Sequence, residues 1–209
     1  MPVLLSTAYF PPIEYFAAMA DGFTLSLDRV NPSIVYIEAC ENYQKQSYRN
    51  RCVIYSASGT EALTFPVIHH GGTHKIPISE IKVDYSKGWV SQHKRAISSA
   101  YGTSAFFEYY KDGLFDILDS EPDCLFDLNM SLLKFLIEKT GLSVDLRLTD
   151  TFEVPAFAGE KSEKYGKDYR EAIHPKRKNS ILEELGLSKP YFQVFSQKYG
   201  FKPNLSVMD

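Results

Sequence analysis

The polar chemistry of this chain is concentrated in one run, Glu41-Asn42-Tyr43-Gln44-Lys45-Gln46-Ser47-Tyr48-Arg49-Asn50-Arg51. It offers one carboxylate, three cations and several amides, enough to hold an anion and orient a polar substrate. Arg49 and Arg51 are two apart and share a face in extended chain, so together they read as a clamp for a phosphate or carboxylate. The plainer alternative is a solvated polar loop. His174, in Ile173-His174-Pro175-Lys176, stands beside cations that favour the neutral imidazole a general base requires, with a surface histidine as the alternative. His93 falls on an expected helix near Trp89 and is either a substrate-side base or a core-edge histidine. His69, His70 and His74 match no metal-ligand spacing, so no metal is expected. Cys40 is a candidate nucleophile among those cations, or simply a packing residue at a strand end.

These side chains need elements to position them. Residues 3–10, VLLSTAYF, read as a buried strand halted by Pro11-Pro12, and prolines suit a helix start, with Ile13, Phe16 and Ala17 following at helical spacing. Asp21-Gly22 ends that helix, residues 23–27 suggest a short strand, and residues 34–37 form a β-branched strand apolar on both faces. Strand, helix and strand make a βαβ unit with a right-handed crossover. The polar run then lies just beyond the carboxyl end of a strand, where open α/β sheets bind ligands. A hairpin is expected around Ser58-Gly59, an edge strand over residues 76–85, and a helix over 91–101 stopped by Gly102. Phe106, Phe107, Tyr109 and Tyr110 form a dense aromatic segment. Leu128, Leu132, Phe135 and Leu136 mark a helix closed by Gly141, and residues 144–148 a further strand. Residues 153–189 turn charged and broken, predicting a long loop or lid with a short helix at 181–185, before an ordered segment opens at Pro190. The expected fold is α/β: one domain over 1–209, with a mixed sheet beginning with the βαβ unit, a Rossmann-like or nucleotidyltransferase-like core and a helical C-terminal half.

Composition narrows the function classes. The formal charge of −3 and the isolated triplet Lys176-Arg177-Lys178 argue against a nucleic-acid partner. Three cysteines without C-x-x-C spacing suit a reducing compartment, and the opening residues lack the basic flank of a signal peptide. No window reaches 18 apolar residues, so no membrane span is expected, and the cytoplasm is the default location. Fourteen tyrosines and fourteen phenylalanines suit either walls around a wet cleft or a Tyr-rich core. No G-x-S-x-G, P-loop, H-E-x-x-H or G-x-G-x-x-G is present.

STAYFPPIEYF at 6–16 and ENYQKQSYRNRC at 41–52 resemble the WbqC-like protein family. So do Trp89 with His93, Ala100-Tyr101 with Phe106-Phe107, Ile173-His174-Pro175-Lys176, and the blocks YFQVF at 191–195, Gly200-Phe201 and PNLS at 203–206. The resemblance implies a role among bacterial O-antigen and surface-polysaccharide genes, where some members are labelled glycine or acyl transferases. Residues 23–33 look like an insertion relative to the family, and the family pattern continues with an apolar helix beyond the position of Asp209, which would leave a patch near Leu205 and Val207 exposed or meeting another chain. The opening is also similar to adenylyl-transferring enzymes of the HxGH superfamily, with Pro12 and Tyr15 standing roughly where the two histidines would be.

The resulting expectation is a transferase acting on a small-molecule substrate, with a nucleotide sugar or an acyl donor as options and the cofactor unknown. Glu41 or His174 would be the base. Asn42, Lys45, Gln46, Tyr48, Arg49, Asn50, Arg51, His93 and Lys176 would bind substrate, and Arg49→Ala would abolish binding without unfolding the chain. Rival readings are an ATP-dependent adenylating or ligating enzyme, and a non-catalytic binding module built on the aromatic surface at 106–110. Homo-oligomerisation stays open.

Overall fold

A computed structural model describes residues 1–21, 32–68, 76–155, 161–162 and 164–209. The elements are β1 (Val3–Ser6), α1 (Ile13–Asp21), β2 (Ser33–Glu38), β3 (Arg51–Ser56), β4 (Gly59–Thr64), α2 (Trp89–Tyr101), α3 (Phe107–Asp119), α4 (Leu125–Thr140), β5 (Val144–Leu148), β6 (Lys161–Ser162), β7 (Gly166–Asp168), α5 (Ile181–Glu184) and α6 (Ser196–Tyr199). The strand suggested at 23–27 and the histidines at 69, 70 and 74 lie outside the described residues.

The main sheet runs β5-β2-β1-β7-β6. The first four strands are parallel, and β6 pairs antiparallel with β7. Val3, Leu4, Leu5, Val35 and Ile37 are almost wholly buried, the continuous apolar run of strands covered on both faces. From β1 the chain winds outward through β2 to β5, then returns to the opposite side of β1 to lay down β7. The carboxyl ends of all four parallel strands therefore share one edge. In register, Ser6 sits opposite Glu38, and Ile37 opposite Leu148.

Helix α1 joins β1 to β2 and buries Tyr15, Phe16, Ala18 and Met19. Its first amides are satisfied by the C-terminal segment: Ile13 N–H donates to the Leu205 carbonyl at 2.9 Å and Glu14 N–H to Asn204 Oδ1 at 3.0 Å. The β3–β4 hairpin stands apart from the main sheet and packs on α2. Helix α4 ends at Gly141, whose left-handed φ of 69° closes the last turn.

Three expectations change. Residues 76–85 form no edge strand: Pro77 has no N–H, 3-10 turns occupy Ile78–Glu80 and Tyr85–Lys87, and the backbone partners are scattered over Glu41, Tyr43, Pro66, Ile68, Asp123 and Leu125. The alternating apolar side chains Ile78, Ile81 and Val83 are nevertheless buried. The stretch 153–189 is not a lid along its whole length. It contains β7, inside the sheet, and Tyr165, Asp168, Tyr169 and Arg170 are buried. Helix content lies in the middle of the chain, at 89–140, and the described residues beyond it supply three strands and two single-turn helices. The aromatic segment at 106–110 opens the 13-residue α3.

Candidate active site

The carboxyl edge of the sheet holds a buried ionic cluster. Glu38 ends β2, Asp168 ends β7, Arg170 follows two residues later, and Glu41 and Arg49 belong to the connection between β2 and β3. All five are at most 5% exposed. Arg170 donates to Asp168 through Nε and Nη2, at 3.0 and 2.7 Å, and through Nη1 to Glu38 Oε2 at 2.5 Å and the Glu153 carbonyl at 3.0 Å. The second Glu38 oxygen accepts from Cys40 N–H at 2.8 Å and the Thr149 hydroxyl at 2.7 Å. Burial opposes the Arg170 charge, but Asp168 and Glu38 outweigh it and raise its pKa.

Arg49 makes the second half of the cluster. Its Nε donates to Glu41 Oε1 at 2.8 Å, and its Nη2 pairs with Glu41 Oε2. Nη2 also donates to Ser6 Oγ at 2.8 Å, and Ser6 Oγ–H donates to Glu41 Oε2 at 3.3 Å. Burial pushes the Glu41 carboxyl above the usual range despite the opposing pull of Arg49. The backbone of Arg49 is held from behind, because Asn129, wholly buried on α4, donates Nδ2 to the Arg49 carbonyl at 2.7 Å. Such a cluster is a costly way to fill a protein interior. Arg49 and Arg170 both line a hollow of about 10 Å³, the size of one water, together with Ser6, Thr7, Tyr15, Tyr48 and Tyr169 among others. It sits between the ends of β1 and β7, where the winding of the sheet reverses.

The sequence-derived site residues divide. Glu41 and Arg49 meet as an ion pair, and Tyr48 lines the hollow. Lys176 reaches Gln46 Oε1, which brings the 174–176 segment against the 41–51 loop. His174 is half-buried, and its pKa is lowered by that burial and then by Arg177 and Arg49. Its Nδ1 accepts from Lys176 N–H at 3.2 Å, which leaves the proton of the neutral ring on Nε2 and turns a donor outward. Lys45, Asn42 and Gln46 are exposed on the loop surface.

Three of the expected site residues lie away from the hollow. Arg51 does not join Arg49 at the hollow: residues Tyr48–Asn50 form a 3-10 turn, so residues two apart no longer share a face, and Arg51 opens β3. Asn50 donates Nδ2 to the Phe65 carbonyl at 2.8 Å and ties the loop to the residue following β4. His93 is a core histidine, 4% exposed, with Nδ1 2.8 Å from the Tyr9 hydroxyl and its ring edge-on to Trp89.

Sequence reasoning missed Ser6, Glu38, Asp168, Arg170 and Asn129. Asp168 and Arg170 are two apart, the spacing of one face in extended chain, and that was the available signal. A second, larger cavity lies elsewhere. It is an apolar groove of about 430 Å³ between the end of α2, the start of α3, the end of α4 and the C-terminal segment, walled by Tyr101, Phe107, Leu114, Phe135 and Val207 with Lys111, Lys139 and Asp209.

The profile of the WbqC-like protein family matches residues 7–173 of this chain. The uncharacterized protein Rv1507c of Mycobacterium tuberculosis is 26% identical over 223 residues, spanning 99% of this chain and 90% of that protein. No solved structure matches.

Proposed function

Since the chain belongs to the WbqC-like protein family, we propose that it is a transferase that moves an acyl or aminoacyl (glycyl) group onto the amine of an amino sugar or nucleotide sugar in bacterial surface-polysaccharide synthesis. The observation that carries this reading is the hollow lined by Arg49 and Arg170 at the reversal point of the parallel strands, the place where open α/β sheets take their ligands. Numbered among themselves, the parallel strands run 3-2-1-4, which supports a Rossmann-like core.

In this reading a carboxylate, phosphate or carbonyl oxygen of the donor takes the water-sized space and meets both guanidiniums. Glu41 accepts the proton of the attacking amine, suited to that task by the burial that raises its pKa. The His174 Nε2–H and the Tyr48 hydroxyl orient the acceptor, and Lys176 and Lys45 hold outer phosphates at the rim. The adenylating alternative finds less support. A phosphate cradled at the start of α1 would need amides that Leu205 and Asn204 already occupy, beside the buried Glu14 carboxylate.

A thermal-shift series with a nucleotide sugar, an acyl-CoA and ATP tests the reading. A ligand at 100 times its Kd adds about 2.7 kcal/mol, roughly 5–10 °C for a chain of this size. The nucleotide sugar and the acyl-CoA should each give such a shift. Lys176→Ala, at an exposed position, should reduce the shift while leaving the unliganded melting point unchanged. No shift from either ligand, or a full shift from ATP alone, overturns the proposal.

A further inference from the structure

We propose that Ser6 is the nucleophile of a two-step transfer, carrying the acyl group as an ester before the amine receives it; this rests on the transferase reading above. Ser6 closes β1 and lines the hollow, with its hydroxyl held from two sides. Its proton points to Glu41 Oε2 at 3.3 Å, and one lone pair accepts from Arg49 Nη2 at 2.8 Å. A hydroxyl has two lone pairs, so one remains for attack. A serine beside a buried carboxylate and a guanidinium has both parts of an activated nucleophile: an acceptor for its proton and a positive charge for the oxygen that develops.

The step balances with an acyl thioester as donor. Ser6 Oγ forms a bond to the acyl carbon and passes its proton to Glu41. The carbonyl oxygen becomes an oxyanion between Arg49 and Arg170, and the C–S bond breaks as the thiolate takes the proton back from Glu41. In the second step the acceptor amine attacks the ester carbon, Glu41 takes the amine proton, and the Ser6 oxygen leaves and recovers it. Oxyanion stabilisation by fixed donors in a site of this kind is worth about 10²–10³ in rate per donor.

The structural alternative is that Ser6 only ties the Glu41–Arg49 pair together. Incubation of the wild-type protein with a fluorophosphonate probe and, separately, with acetyl-CoA, followed by intact mass measurement and peptide mapping, separates the two. The expected result is one phosphonyl or acetyl group per chain, on the peptide that contains Ser6. The rate of labelling should fall as the pH drops and Glu41 takes up a proton. Glu41→Gln should slow labelling by about 10²–10⁴, the usual worth of a general base, with the acyl-CoA thermal shift retained. Labels on Lys45, Lys176 or Cys40 instead, no label at all, or undiminished transfer by Ser6→Ala would overturn the covalent step. In each of those cases a thermal shift with the acyl-CoA would leave transfer directly from donor to amine standing. Loss of that shift would overturn the transferase reading itself.

Discussion

Buried polar residues in this chain serve two different ends, and His93 illustrates the structural one. Its pKa is lowered to about 4, chiefly by burial, with the Thr64 backbone pulling the other way. The unfolded histidine titrates near 6.5, so between about 6.5 and 4 the unfolded chain binds the extra proton and the folded chain does not. The neutral form therefore supports the fold above about 6.5, and this contribution is lost as the pH falls toward 4. The loss should be on the order of 2–3 kcal/mol, at most about 1.4 kcal/mol per pH unit. Urea denaturation at steps from pH 7 to 4.5 should show it, and His93→Gln should flatten the curve. Parallel curves for the two proteins would mean that another group sets the slope. Arg49 is the opposite case, a residue whose type pointed to an anion and whose nearest anion is Glu41. Arg49→Ala leaves that carboxylate buried without a partner, a loss of about 3–5 kcal/mol. Arg49→Ala should therefore lower stability as well as binding, which chemical denaturation of the variant measures. Residue types announced the charges, but the pairing of Arg49 with Glu41, eight residues apart, depended on a turn geometry, and that of Arg170 with Glu38 joins residues 132 positions apart, which local spacing does not encode.

Among the elements, β1, α1, β2 and α4 were legible because each has a strong period or an uninterrupted apolar run. Strand β7 was not, for the opposite reason: Gly166-Lys167-Asp168 is three residues long, polar in composition and set within a charged stretch. Its place in the sheet comes from main-chain pairing, with Lys167 N–H donating to the Pro2 carbonyl at 2.9 Å and Tyr169 N–H to the Leu4 carbonyl at 3.0 Å. Gly166 makes that approach possible. Its φ is +90°, and a Cβ there would stand 2.1 Å from the Pro2 carbonyl oxygen. Gly166→Ala should thus combine backbone strain with a backbone clash and cost about 3 kcal/mol or more. Because β7 delivers Asp168 and Arg170, the same change should weaken ligand binding at the hollow. Gly141→Ala is the control. Its φ is +69° with nothing within 4 Å, so it should cost only the conformational penalty of about 1 kcal/mol. Chemical denaturation of both variants measures the difference. Equal losses would mean that β7 tolerates displacement from Pro2.

At the scale of the whole molecule, the C-terminal segment adds main-chain ties between units that share one apolar core. The main sheet with α1, the β3–β4 hairpin and the α2–α4 helices share few direct backbone bonds. Residues 204–209 contact all three. Leu205 and Asn204 cap α1, Ser206 N–H donates to the Val53 carbonyl of the hairpin at 2.8 Å, and Val207 N–H to the Pro11 carbonyl at 2.9 Å. Asp209 accepts from Gln193 Nε2 at 2.7 Å and from the Tyr101 hydroxyl of α2 at 3.4 Å. Leu205 itself is 3% exposed. The segment also supplies Val207, Met208 and Asp209 to the wall of the apolar groove. Ending the chain at Pro203 removes five or more hydrogen bonds, each worth about 1 kcal/mol net, and one buried leucine worth about 1.5–3 kcal/mol. The sum, roughly 6–8 kcal/mol, is comparable to the entire stability of an ordinary domain. The truncated chain should therefore be largely unfolded at 25 °C by circular dichroism. Leu205→Ala, which keeps every backbone bond, should remain folded with a loss of about 2–5 kcal/mol. A truncated protein that melts cooperatively within a few degrees of the full chain would mean that the three units hold together without this strap, and the capping of α1 would then be incidental to the fold.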